Sequence, residues 1–152
     1  MTMIILAPVD LADLTTARKV LAAAVQQTGG ADARLTAMTV VPDLVAGLDW
    51  RYAIRGETGG SEEFDMSKVV AEALNRLNRL VAEHTPRGMK VNTIARHGTA
   101  YEQILKVAAE IGAGQIVIGA HRPGFSDFLL GTCTARVVRH AKCSVNVIGF
   151  DS

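Results

Sequence analysis

The sequence predicts an α/β fold in which a five-stranded, parallel, open sheet carries helices on both faces. The first observation is an alternation of short apolar runs with amphipathic stretches, in the order β-α-β-α-β-α-β-α-β. Units of this kind join parallel strands through right-handed crossovers, which place the helices on the faces of the sheet. The second observation is size. A chain of 152 residues, 49% of them hydrophobic, suits a single domain over residues 1–152 with a sizeable core.

The first strand and the first helix are marked by an apolar run and a capped amphipathic stretch. We expect the strand at Met3–Pro8, followed by a turn that reaches Asp13, a candidate N-cap. In the helix that follows, apolar residues recur every three or four positions. The breakers Thr28-Gly29-Gly30 end it.

The second strand is expected at Arg34–Val41, where Pro42 ends it. Residues 43–60 follow without clear periodicity and hold the only tryptophan, Trp50. Structureless stretches of this length are uncommon in compact domains and are often lids or binding loops. The alternative is a plain connection.

A long helix is expected next, at Glu62–Glu83, because Ser61 and two acidic residues suit a helix start. The third strand is expected at Lys90–Ala95. A turn after it brings in Thr99, which can cap a helix that ends at Gly112.

The last stretch combines a strand at Ile116–Ile118, a glycine-bearing loop, a helix at Ala135–His140 and a final strand at Cys143–Ile148. Glycine lets backbone N–H groups approach an anion, and a helix N-terminus offers unpaired donors and partial positive charge. Gly131-Thr132, just ahead of this helix, is therefore a candidate phosphate seat. The alternative is that the glycines only turn corners.

Composition narrows the function classes. The formal net charge is +1, so no global electrostatic attraction to nucleic acid or to an anionic membrane is expected. No apolar run reaches the roughly 18 residues that a membrane-spanning helix needs. The N-terminal residues lead into a strand without the features of a signal peptide, so we expect a cytoplasmic protein.

The reactive residue types form no metal or catalytic constellation. Cys133 and Cys143 lack a zinc or redox spacing, and His84, His97 and His140 share no metal-ligand spacing. No set of nucleophile, base and orienting group is visible, so neither catalytic nor metal-binding residues are predicted. The helix start can polarise the Cys133 thiol, or the residue can serve as packing.

The architecture predicts where a ligand binds. If strand one is central and strand four lies beside it, as in the order 3-2-1-4-5, the strand order reverses between their C-terminal ends, and ligands of open α/β sheets bind at such a point. Asp10 follows strand one and Gly119 follows strand four, with Gly131-Thr132 across the crevice. A carboxylate there can accept from an adenine amine or a ribose hydroxyl, or bind a magnesium ion that bridges phosphates. The alternative is that Asp10 caps the following helix.

Several motifs point together to one family. They are Pro8-Val9-Asp10, Thr39-Val40-Val41, His97-Gly98-Thr99-Ala100, Ile116-Val117-Ile118-Gly119, Leu129-Leu130-Gly131-Thr132 and the run Val137–Val145. Over nearly its whole length the chain resembles the universal stress proteins. The resemblance implies a Rossmann-like fold of the adenine nucleotide alpha hydrolase-like kind.

The glycine motif departs from the family pattern at one position. Nucleotide-binding members carry Gly, two residues, Gly, nine residues and then Gly-Ser or Gly-Thr. Here Gly119 and Gly131-Thr132 match the ends, Arg122 replaces the middle glycine, and the loop after it is one residue shorter. This is similar to the F/G-type branch, whose members are regarded as binding adenine nucleotides. The Arg122 guanidinium can meet a phosphate, point into solvent or block the groove.

The resemblance implies an ATP site, with AMP or ADP as further ligands and Mg²⁺ as a candidate ion. Pro8, Val9, Asp10 and Val40 would surround the base and ribose, and Ile118 and Gly119 would border the ribose and phosphates. Gly131, Thr132, Cys133 and Thr134 would cradle the phosphates.

The resemblance further implies a dimeric regulatory module of the stress response. The last strand, Ser144–Ile148, would pair antiparallel with its twofold mate, which would cover an apolar edge. One alternative is a dimeric scaffold that binds a partner protein without nucleotide. Another is a slow ATPase or a self-modifying nucleotidyl transferase, with Thr132 or Thr134 beside the γ-phosphate and His121 as base.

Overall fold

The structure is a computed structural model that describes residues 2–29, 33–42, 65–120 and 131–149. The expected loop at 43–60 with Trp50 lies outside these residues. So do His121 and Arg122 of the glycine-bearing loop.

The predicted sheet is confirmed. All of its strand pairs are parallel, and their order is β3-β2-β1-β4-β5, with β1 in the centre. The strands are β1 (Met3–Pro8), β2 (Ala33–Val41), β3 (Val91–His97), β4 (Gln115–Gly119) and β5 (Ser144–Ile148). The described helices are α1 (Leu14–Thr28), α2 (Met66–His84), α3 (Ala100–Ile111) and α4 (Thr132–His140).

Each face of the sheet has its own core, because successive side chains of a strand point to opposite faces. Ile5 and Ala7 of β1 belong to the cluster that packs against α1 and α2. Leu6, between them, belongs to the cluster that packs against α3 and α4. The central strand is therefore apolar on both sides, as a doubly covered parallel sheet requires.

The cap of α1 is the predicted one. The two carboxylate oxygens of Asp13 accept hydrogen bonds from the backbone N–H and the hydroxyl of Thr16, at 3.3 and 2.7 Å. This satisfies one of the donors that a helix N-terminus leaves unpaired.

The predicted start of α2 was wrong. The helix begins at Met66, and its cap is Asp65 instead of Ser61. The Asp65 carboxylate accepts from the N–H of Ser67 at 3.0 Å and from its hydroxyl at 2.6 Å. The hydrogen bond from the Ser67 side chain lowers the pKa of Asp65, so the cap is the charged form.

Strand β3 and helix α4 extend beyond their predicted bounds, and the predicted cap of α3 lacks its side-chain hydrogen bond. Strand β3 continues to His97 because it pairs with β2 up to Val41. Thr99 occupies the cap position of α3, but its side chain makes no capping hydrogen bond. Helix α4 begins at Thr132, ahead of the predicted Ala135, so the candidate phosphate seat lies in its first turn.

Candidate functional site

The candidate site is the crevice where the strand order reverses. Strand β1 lies between β2 and β4 and is parallel to both, so the three strands end at the same edge of the sheet. The N–H of Val9 donates to the carbonyl of Met38 at 2.8 Å, which prolongs the contact with β2 beyond the last residue of β1. The segment Pro8-Val9-Asp10 therefore reaches the edge in a fixed position.

Asp10 is exposed at this edge and does not cap α1, because Asp13 does. One Asp10 carboxylate oxygen accepts from the N–H of Ala12 at 2.9 Å, and its carbonyl accepts from the N–H of Asp13 at 3.0 Å. Asp10 thus holds the turn between β1 and α1 and presents its carboxylate at the edge. The alternative role, as a helix cap, was wrong.

Glycine is needed at position 119 for a steric reason that the sequence did not reveal. A Cβ atom at this position would lie 2.5 Å from the Cγ2 atom of Thr16 and 3.5 Å from a methyl of Val20. Helix α1 therefore packs directly on the backbone at the end of β4. Gly119 does more than turn a corner, because its missing side chain makes room for α1.

The start of α4 is tied to the end of β4 by hydrogen bonds. The N–H of Gly131 donates to the carbonyl of Ala120 at 2.9 Å, and the N–H of Ala120 donates to the carbonyl of Ile148 at 2.9 Å. The hydroxyl of Thr134 donates to the carbonyl of Gly119 at 2.6 Å. The amide proton of Gly131 and the hydroxyl proton of Thr134, both expected on phosphate, thus have protein partners.

Among the described residues of this edge, backbone donors for an anion are found in the first turn of α4. The N–H groups of Thr132, Cys133 and Thr134 have no acceptor within the helix, because the carbonyls four residues earlier precede it. They point out of an N-terminus that carries partial positive charge. An anion in the crevice would meet these backbone donors first.

Cys133 lies in the first turn of α4, where its thiol is partly buried. Burial raises the pKa of its thiol above the ordinary 9.0, and the charge of Asp10 raises it further. The thiol is half-buried against the α3–α4 core and stays protonated, which supports packing over reactivity.

This shift predicts a pH dependence of stability. Because the folded protein holds the thiol proton more tightly than the unfolded chain, the associated stabilisation is complete below pH 9.0 and is lost as the pH rises through the higher folded-state pKa. We expect the free energy of unfolding to fall more steeply between about pH 8 and about pH 10 in the native chain than in Cys133→Ser. Urea unfolding at several pH values measures this. Equal slopes would contradict it.

Apolar side chains form the wall of the crevice on the side of α3 and α4. Ile118 is buried and Val40 half-buried, and both belong to the core on that face. Pro8 is buried at the end of β1, two residues after Leu6 and therefore on the same face. The structure thus brings these three predicted residues to one side of the sheet.

A contact that the sequence did not reveal joins the two helices of this face. The guanidinium of Arg136 lies over the ring of Tyr101, 4.8 Å from its centroid. Such a contact attracts a cation to the negative face of the ring. Tyr101 stands at the start of α3, directly after the His97–Ala100 motif.

The described ranges hold neither a cluster of metal ligands nor a membrane-spanning helix. Within them, no three His, Cys, Asp or Glu side chains come together as metal ligands. None of the helices in the described part of the chain is long and apolar enough to cross a membrane.

Comparisons with known proteins agree with this architecture. The model of the universal stress protein family matches residues 1–149. Universal stress protein G of Shigella flexneri is 34% identical over 77 residues, which are 51% of this chain and 54% of that protein. The chain thus spans about half the length of the curated relatives it matches.

Two solved structures share the fold. The protein MJ0577 of Methanocaldococcus jannaschii superposes with a TM-score of 0.74 at 22% identity, over 99% of this chain and 97% of that one. The universal stress protein of Archaeoglobus fulgidus in complex with dAMP superposes with a TM-score of 0.61 at 18% identity, over 97% and 98%. At these identities the likeness establishes the fold, and the family match over nearly the whole length establishes descent. The chain belongs to the universal stress protein family.

Proposed function

We propose that this chain binds an adenine nucleotide, ATP first and AMP or ADP as further ligands, in the crevice between β1 and β4. It would act as a regulatory module of the stress response. The observation that carries the proposal is that β1, which leads into Asp10, and β4, whose end is hydrogen-bonded to the first turn of α4, are neighbouring parallel strands that end at the same edge. A crevice with a carboxylate on one side and backbone donors on the other suits a ribose with phosphates.

The geometry supports a division of roles within the site. The apolar wall of Pro8, Val40 and Ile118 suits an adenine ring, and the Asp10 carboxylate suits its amine or a ribose hydroxyl. The first-turn amides of α4 suit the phosphates. The dAMP complex of the Archaeoglobus relative supports adenine as the base. Arg122, as a further phosphate partner, remains a prediction from the sequence.

A magnesium ion fits this arrangement only together with the nucleotide. Mg²⁺ keeps several waters and is usually bound by one or two carboxylates plus phosphate oxygens. Asp10 would supply one carboxylate, and phosphate oxygens and water molecules would supply the remaining ligands.

We propose in addition a homodimer through β5, in the cytoplasm. Strand β5 is at the edge of the sheet, and its Val145 and Val147 are half-buried. An apolar edge strand is an aggregation hazard unless another strand covers it, and antiparallel pairing with a second copy would do so.

Native mass spectrometry of the freshly purified protein, followed by calorimetric titration with ATP and Mg²⁺, tests the proposal. We expect co-purified adenine nucleotide or a dissociation constant on the order of micromolar, with the mass of a dimer. A dimer that carries no nucleotide and ignores ATP, ADP and AMP would overturn the nucleotide proposal and favour the scaffold. Steady phosphate release that Asp10→Ala abolishes would instead favour the ATPase.

A further inference from the structure

Thr134 has a buried side chain whose hydroxyl group is hydrogen-bonded to the end of a strand. Its side chain is 5% exposed, and its hydroxyl donates to the carbonyl of Gly119 at 2.6 Å. Gly119 is the last residue of β4, and Thr134 is in the first turn of α4. The family resemblance had implied a different role for this residue, as a direct partner of the phosphates.

A second hydrogen bond fastens the other end of the same turn. The N–H of Gly131, the cap residue of α4, donates to the carbonyl of Ala120 at 2.9 Å. Two successive carbonyls at the end of β4 therefore accept from two points of the first turn of α4. The N–H of Ala120 is itself bonded to Ile148 of β5, so the acceptors are anchored in the sheet.

This arrangement fixes where the free donors of α4 point. The amides of Thr132 and Cys133 lie between the two fastened residues, Gly131 and Thr134. Without the Thr134 hydrogen bond, the turn would be held at one end only, and the Gly119 carbonyl would lose a partner in a partly buried place. A preorganised donor loses less free energy when it meets an anion than a donor that must first be ordered.

We propose that Thr134 is a positioning residue of the phosphate seat, which it holds through its bond to Gly119 without touching the ligand. The proposal rests on the nucleotide site proposed above and names what keeps that site in shape. It separates two parts of the ligand. The phosphates depend on the α4 donors, whereas the adenosine moiety depends on β1, β2 and the apolar wall.

The test compares ATP with adenosine on matched variants. Thr134→Val keeps the shape and removes the hydroxyl, and Thr134→Ser keeps the hydroxyl. Thr28→Val is the control, because Thr28 is also 5% exposed and its hydroxyl donates to the carbonyl of Ala24, but it lies at the far end of α1. Dissociation constants come from calorimetry well below the unfolding temperature of each variant.

We expect Thr134→Val to lower the affinity for ATP roughly tenfold, which corresponds to the loss of one hydrogen bond. The affinity for adenosine should fall by less than about twofold. Thr134→Ser should bind both ligands as the native chain does. Thr28→Val should lower the unfolding temperature and leave both affinities unchanged.

Three results would overturn the inference. If Thr134→Val loses stability but binds ATP as tightly as the native chain, the hydrogen bond is purely structural. A Thr134→Val variant that loses affinity for ATP and for adenosine equally would also overturn it. So would a Thr134→Ser variant that behaves like Thr134→Val. A native chain that binds no ATP at all would overturn the nucleotide proposal itself, and this inference with it.

Discussion

Gly131→Glu is expected to weaken ATP binding roughly a hundredfold while leaving the fold intact. The new carboxylate would start from the cap of α4, beside the amides proposed to hold the phosphates. Held about 6 Å from a single phosphate charge, at an effective dielectric constant of about 20, it costs about 2.8 kcal/mol, or roughly a hundredfold in affinity. Calorimetric titration with ATP measures the loss.

The fold should tolerate this change for two physical reasons. Gly131 has φ −60° and ψ 155°, a conformation open to any residue, and a negative charge at a helix N-terminus is favourable. The matched control is Gly131→Gln, which has the same shape without the charge and should retain most of the affinity. If the glutamate and glutamine variants bind ATP equally well, the phosphates do not sit at α4.

Gly119→Ala is expected to destabilise the protein by about 1–3 kcal/mol, the usual cost of overpacking a closed site. The added Cβ would lie 2.5 Å from the Cγ2 atom of Thr16, a distance that real Cβ contacts do not show. Thr16 cannot simply rotate away, because its hydroxyl and its N–H are both bonded to Asp13. Either α1 shifts or its cap breaks. The free energy of unfolding in urea measures the cost.

A second substitution isolates this contact. Thr16→Ser removes the colliding methyl and keeps the hydroxyl that bonds to Asp13, so it should rescue Gly119→Ala in the double variant. The two changes should therefore be strongly non-additive, as expected for residues in direct contact. A double variant that is as unstable as the sum of the single ones would show that another neighbour limits Gly119.

The regular elements could be predicted well because their signals are local. The apolar run of β1, the Asp13 cap and the glycine after α3 each depend on a few neighbouring residues. The start of α2 was predicted wrongly because two nearby residues carry similar capping signals. Ser61 and Asp65 are both good caps, and only the finished helix shows that Asp65 binds the N–H of Ser67.

The sequence by itself determined the fold class, and with the family resemblance it predicted the strand order and the sheet edge at which we propose the site. Periodicity and crossover handedness leave few other ways to bury these apolar faces. Only the tertiary structure decided what each site residue does. Thr16 meets Gly119, and Thr134 bonds to its carbonyl, across long stretches of chain. Such pairings depend on how helices pack on strand ends, so a buried donor acquires its partner only when the whole sheet has formed.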